Sequence, residues 1–151
     1  MGLEYVAITI RTYKTNTDFE WFLHRGIPIG YYPGSDLRRV NGILRYYLSQ
    51  HWQVDGQIDV LWQGEGEMSQ PWDMPWMNHS VAQGYSEPFP TGVVERTNTI
   101  DVRVTRLWDP VRFVSAGIQF QAIDNLDHIS GESDSGWSGY LEMSWAFGFQ
   151  Q

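Results

Sequence analysis

The sequence predicts an all-β protein, a β-sandwich of two antiparallel sheets with little helix, on three observations. Strand-length runs with apolar and polar residues in alternation recur along the chain. Turn chemistry separates them, and sustained helical periodicity is confined to one segment. The runs are EYVAITIRTY, EWFLHR, GQIDVLW, TIDVRVTRLW, RFVSAGIQFQAI and GYLEMSWAFGF, divided by PGSD, QGEGE, WDP and SGESDSG. Six or more such strands bury their apolar faces most simply as two packed sheets.

The first run, ITIRTYKTNTD, alternates through Ile8, Thr9, Ile10, Arg11, Thr12 and Tyr13 and then dissolves into a polar turn from Lys14 to Asp18. In IDVRVTRL the alternation is strict: Ile100, Val102 and Val104 mark a dry face, Asp101, Arg103 and Thr105 a wet one. The segment SDLRRVNGILRYYLSQHW is ambiguous. Leu37, Val40, Ile43, Leu44, Tyr47 and Leu48 follow helical spacing, and Ser35 or Asp36 could cap a helix. Against the helix, Asn41-Gly42 is a turn dipeptide and a mid-helix Gly costs about 1 kcal/mol. Sheet pairing of ILRYYL is expected to prevail, making residues 43–48 a strand.

The 151 residues fit a single domain, residues 1–151, with no repeat, heptad or linker composition. No Cys is present, which removes disulfides, thiolate metal sites and a Cys nucleophile together. Ten Lys and Arg against eighteen Asp and Glu give a net charge of −8, so a phosphate backbone is repelled and nucleic acid is not an expected partner. A signal-peptide pattern is missing, which leads to an expectation of a cytoplasmic or unconventionally secreted protein. No apolar run is long enough to span a bilayer. Eight Trp, eight Tyr and seven Phe exceed what a core of this size needs, and several Trp lie in Pro- and Gly-rich stretches. Aromatics there mark a binding face or an oligomer interface.

The stretch YVAITIRTYKTNTD resembles the first strand and turn of the fungal fruit-body lectins, which open on a similar Ile-x-Leu-Arg-x-Tyr-x-Thr-Asn pattern. Asn41-Gly42 is similar to the family's turn before its second long strand, and Asp55-Gly56-Gln57-Ile58 to its next small-residue turn. NTIDVRVT and VRFVSAGIQF resemble its later strands. DGQIDVLWQGEGEMSQPWDMPW resembles the related actinoporin and aegerolysin-like sandwiches in the spacing of Gly56, Ile58, Glu65, Asp73, Pro75 and Trp76. The resemblance implies an actinoporin-like β-sandwich, glycan or glycoconjugate ligands, and a homo-oligomer, dimer or tetramer. The family's sugar loop corresponds to Gln50–Gly56 and its His-Asn-Tyr ligand motif falls near Pro75–His79, but neither motif is kept, so the ligand is expected to differ.

Sugar binding needs a ring against the C–H face of a pyranose and planar polar groups for the hydroxyls. SQPWDMPWMNHS supplies both: Trp72 and Trp76 as platforms, Asp73, Asn78 and His79 as hydrogen-bonding partners. His51 and Trp52 form a second such pair. In the competing reading, Trp72 and Trp76, flanked by Pro71 and Pro75, plug one end of the sandwich. His24, His51, His79 and His128 are scattered without ligand spacing, and Asp124, Asp127, Glu132 and Asp134 lack the order of an EF-hand, so neither a metal nor another cofactor is expected. Nucleophile motifs, a P-loop and a dinucleotide fingerprint are missing, so catalysis is not expected. The expected function is a carbohydrate-binding lectin. The alternatives are a membrane- or lipid-binding pore-forming relative, with Trp and Tyr at the lipid interface, and a viral or filament structural subunit using its aromatics as subunit glue.

Overall fold

A computed structural model describes residues 1–13, 23–24, 27–28, 30–31, 33–66, 74–109 and 111–145. Among them the protein is all-β. Strands β1 (Gly2–Ile8), β4 (Leu37–Ser49), β5 (Trp52–Gln63), β6 (Glu95–Leu107), β7 (Phe113–Asp124) and β8 (Ser133–Ser144) form one antiparallel six-stranded sheet in that spatial order. Strands β2 (Leu23–His24) and β3 (Ile27–Pro28) pair as a separate two-stranded ribbon. The described helix is two 3-10 turns, Pro75–Asn78 and Leu126–His128.

From β4 onward neighbouring strands in the sheet are neighbours in sequence, so each pairing is local and register follows from one hairpin to the next. The SDLRRVNGILRYYLSQHW ambiguity is settled by β4, which runs from Leu37 to Ser49 between β1 and β5. Its helical spacing is overridden because backbone pairing with β5 runs along nearly the whole strand, and β1 adds a second paired edge from Leu37 to Ile43. Two small-residue turns expected from the lectin resemblance are corrected here. Asn41-Gly42 lies inside β4 and Asp55-Gly56-Gln57-Ile58 inside β5, with Gly42 paired to Ile58 and Leu44 to Gly56. Asn41 is held there because its side-chain amide donates to the Asp59 carboxylate at 2.6 Å.

The buried hydrophobic side chains among the described residues are Ile8 and Leu37, at 8% and 0% exposure. They sit at the sheet end where the chain enters β4 and leaves β5. Next to them Asp36 is fully buried in a left-handed conformation, φ 59°. Its carboxylate accepts the backbone N–H of Gly66 at 2.8 Å, the N–H of Thr91 at 3.0 Å and the Thr91 hydroxyl. Its own carbonyl accepts from Gly64 N–H at 2.8 Å. One side chain therefore ties the entry to β4, the exit of β5 and the approach to β6. A Cβ on Gly64 would stand 2.1 Å from the Asp36 carboxylate oxygen, which explains a glycine in the expected QGEGE turn.

At the hairpin between β7 and β8, Asn125 takes the left-handed conformation at φ 56°. Its amide donates to Val94 carbonyl at 2.9 Å, and His128 Nδ1 donates to Val93 carbonyl at 2.7 Å. The acidic hairpin is thus pinned to the start of β6.

Replacing Asp36 with Ala strands several buried donors, each costing about 1–3 kcal/mol. Asp36→Ala is expected to lower the unfolding free energy by roughly 2–4 kcal/mol in urea denaturation, and Gly64→Ala to lower it through the same contact.

Candidate functional site

Paired residues of adjacent strands point to the same face, and the registers divide the sheet into two surfaces of opposite chemistry. One carries Arg39, Asn41, Arg45, Asp55, Gln57, Asp59, Thr97, Thr99, Asp101, Arg103, Gln119 and Tyr140. The other carries Val40, Leu44, Tyr46, Val54, Ile58, Val60, Ile100, Val102, Val104, Ile118, Phe120, Trp137 and Leu141. The expected dry residues of IDVRVTRL lie on this second face, yet Ile100 and Val102 are 48% and 42% exposed in the single chain.

An open groove of about 660 Å³ crosses the middle of the polar face, lined by Pro33, Arg39, Gln57, Asp59, Leu61, Thr97, Thr99, Asp101, Arg103, Gln119 and Tyr140. Arg39 Nε donates to both Asp59 oxygens, at 3.0 and 2.7 Å, and its Nη1 donates to Tyr31 hydroxyl at 2.7 Å. Hydrogen bonds to Asp59 and then Tyr31 hold the Arg39 guanidinium pKa well above its ordinary value, so its charge is fixed. Across the groove Arg103 Nε donates to Tyr140 hydroxyl at 2.9 Å, and that hydroxyl lies 3.4 Å from Asp101 as a donor. The Tyr140 ring lies over Gly117, its paired residue, where a Cβ would come within 2.2 Å of the ring. Glycine at this position lets the ring lie down across the sheet. Beyond the groove, Arg45 Nε donates to Asp55 at 2.6 Å, and Gln53 donates to the other carboxylate oxygen at 2.6 Å.

The groove therefore has two arginines and two aspartates in mutual contact with phenol, amide and hydroxyl groups. Charges cancel within it, while donors and acceptors still face outward. Such a surface suits a neutral, polyhydroxylated ligand better than an ion, because an ion would have to compete with the built-in partners.

The sequence-derived site residues fall elsewhere. Trp72 and Asp73 lie outside the described residues. Trp76 is half-buried in the 3-10 turn Pro75–Asn78, with the Arg11 guanidinium 4.8 Å over its ring, and Arg11 donates to Glu87 at 2.9 Å. The cation occupies one face of that ring. Asn78 and His79 are exposed; His79 Nδ1 donates to Pro75 carbonyl at 3.1 Å, and its ring lies 5.1 Å from Tyr85. His51 and Trp52 occupy the β4–β5 turn, separated from this loop by the length of β5, roughly 36 Å at about 3.3 Å per residue. Trp52 there joins an arginine–tryptophan ladder: Arg106 stands 5.6 Å from Trp52 and 4.9 Å from Trp108, and Trp108 lies 5.9 Å from Trp145.

The groove residues were missed because they are spread over five strands and meet only through register. Their sequence signal is the polar i, i+2 row Asp55-Gln57-Asp59 and the facing row Thr97-Thr99-Asp101-Arg103. Among the described residues no group of three His, Asp or Glu is placed to hold a metal ion, and no helix is long and apolar enough to cross a membrane. Comparison with protein families, characterised proteins and solved structures finds no match to this chain.

Burial pushes the Asp55 carboxyl up, but hydrogen bonds from Arg45 and Gln53 outweigh it and hold the group below its ordinary value. A lowered folded pKa contributes stability that is present above the unfolded value, near 4, and is lost as pH falls through the folded value. Unfolding free energy is expected to decline as pH drops below about 4, and Asp55→Asn to flatten part of that decline in denaturant titrations at stepped pH.

Proposed function

We propose that the protein is a carbohydrate-binding lectin whose glycan lies along the polar sheet face. The observation that carries this is the charge-balanced groove, with Tyr140 laid flat beside Gln119, Thr99 and the Arg–Asp pairs. A phenol ring lying across the sheet offers an apolar face for sugar C–H groups, and the amide and hydroxyl groups beside it can address neighbouring hydroxyls. Binding without catalysis fits this arrangement, because the groove carboxylates are engaged: Asp59 by Arg39 and Asn41, Asp101 by Tyr140. The resemblance of YVAITIRTYKTNTD to the fruit-body lectins supports the same class, and their two-layer, actinoporin-like sandwich belongs to this reading as its finer fold.

Within this proposal the groove is preferred to the loop site of Trp72, Asp73, Trp76, Asn78 and His79 because it gathers amide, hydroxyl and paired charged groups around its ring. An arginine stands near both rings, Arg11 4.8 Å over Trp76 and Arg103 5.6 Å over Tyr140. A second reading, a structural subunit of a larger assembly, draws on the apolar face opposite the groove.

Glycan-array screening of the full chain followed by calorimetry tests the proposal. Tyr140→Ala is expected to weaken the best glycan at least tenfold, about 1.4 kcal/mol, with little change in melting temperature. Trp76→Ala is expected to leave affinity unchanged while lowering stability. The reverse pattern moves the site to the loop, and a silent array rejects the lectin.

A further inference from the structure

The chain of 17.5 kDa exposes 10933 Å² of accessible surface. A compact monomer of that mass exposes roughly 7,900 Å². The excess, about 3,000 Å², is more than the roughly 1,000–2,500 Å² that one chain buries in an obligate homodimer interface, so a large interface can be drawn from it. The apolar sheet face contributes to it, with Ile58, Trp137 and Leu141 57%, 71% and 74% exposed. Charged residues on this face stand at the strand ends, with Arg38, Arg96 and Asp124 in one terminal row and Arg106 in the other.

We propose that this face is closed by the same face of a second copy of the chain, so that two single sheets form one two-layer sandwich. The occupant follows from the pattern of the face itself. Gly42, Gly56 and Gly139 each have a large apolar neighbour two residues away on the same strand: Leu44, Ile58 and Trp137. The three glycines lie in two adjacent cross-strand rows near the middle of the strands. A two-fold axis crossing the strands between those rows brings each glycine of one copy opposite the large residue of the other. Nothing lies within 4 Å of a Cβ built on Gly56, and an apolar groove of about 570 Å³ runs past Gly42, Gly56, Ile58, Ile100 and Val102. Sheets pack face to face about 10 Å apart, which is the depth such interdigitating side chains fill. A bilayer is the weaker occupant, because a chain of net charge −8 is repelled by anionic lipid. This inference does not rest on the glycan reading.

Sedimentation of the full chain at micromolar concentration is the first test, with about twice 17.5 kDa, or a multiple of it, expected. Gly56→Phe fills space that is open in the single chain but occupied in the pair, so it is expected to weaken association at least tenfold. Because the native chain has no Cys, Val102→Cys supplies a single probe on the apolar face and Thr99→Cys one on the polar face. A short bis-maleimide is expected to link Val102→Cys into dimers and to leave Thr99→Cys monomeric, a readout that stands even if Gly56→Phe does not fold. The proposal is overturned by a native species of 17.5 kDa, whether its Val102→Cys thiol is reactive, shielded by its own chain or protected only by phosphatidylcholine–phosphatidylserine vesicles. An oligomer that cross-links through Thr99→Cys instead overturns it equally.

Discussion

Side chains in a sheet alternate between its faces, and in this chain the alternation sorts mostly polar from mostly apolar residues across six strands, with no second layer among the described residues to receive the apolar side. This constraint governs the rest of the structure. Burying an exposed aliphatic or aromatic side chain is worth about 1.5–3 kcal/mol, and a face that carries a dozen of them in water forgoes most of the gain that usually offsets chain entropy. The polar face contributes through paired networks instead, and such networks fix geometry more than they add stability. On the proposed pairing, covering the apolar face would be a condition of the fold as well as of assembly.

The two faces divide the labour. Arg39–Asp59–Asn41 and Arg103–Tyr140–Asp101 present a rigid, charge-balanced surface whose register is set by backbone pairing. Glycines take different parts on each side: Gly117 lets Tyr140 lie across the polar face, while Gly42 and Gly56 cut slots in the apolar one. Asp36 works at the end of the sheet, where its buried carboxylate holds the segments around β4, β5 and β6 together. Under the two proposals, a glycan on one face and a copy on the other need not compete, and paired sheets would display two grooves facing away from each other, a geometry in which two weak sugar sites would gain avidity.

The all-β class and most strands of the main sheet were legible because alternation and turn residues are local signals. The first strand was misplaced: β1 is Gly2–Ile8, and the alternating stretch Ile10–Tyr13 is turn instead of strand. IDVRVTRL became part of β6 and VSAGIQFQAI part of β7, but the expected dry residues Ile100, Val102 and Val104 are exposed in the single chain and the expected wet Thr105 is buried. β4 was recoverable only by weighing Gly42 against a helical pattern, since Leu37, Val40, Ile43 and Leu44 satisfy both periods in part. Asn41-Gly42 and the Asp55–Ile58 stretch were misread as turns, because a dipeptide carries no information about strands that pair with it on both sides. The groove was hidden for the same reason: Arg39, Asp59, Asp101, Arg103 and Tyr140 meet only through register. Trp-rich loops drew attention instead, although the described ring, Trp76, is covered by Arg11.

If a single sheet of this kind is stable only when its apolar face is covered by another copy, folding and association are one equilibrium, and mass action must appear in the unfolding curve. Urea denaturation of the native chain over a hundredfold range of protein concentration reads this directly. The midpoint is expected to rise steadily with concentration, with an unchanged slope per molar of urea. A midpoint independent of concentration, with full reversibility, would contradict the account, because the sheet would then be stable as one chain.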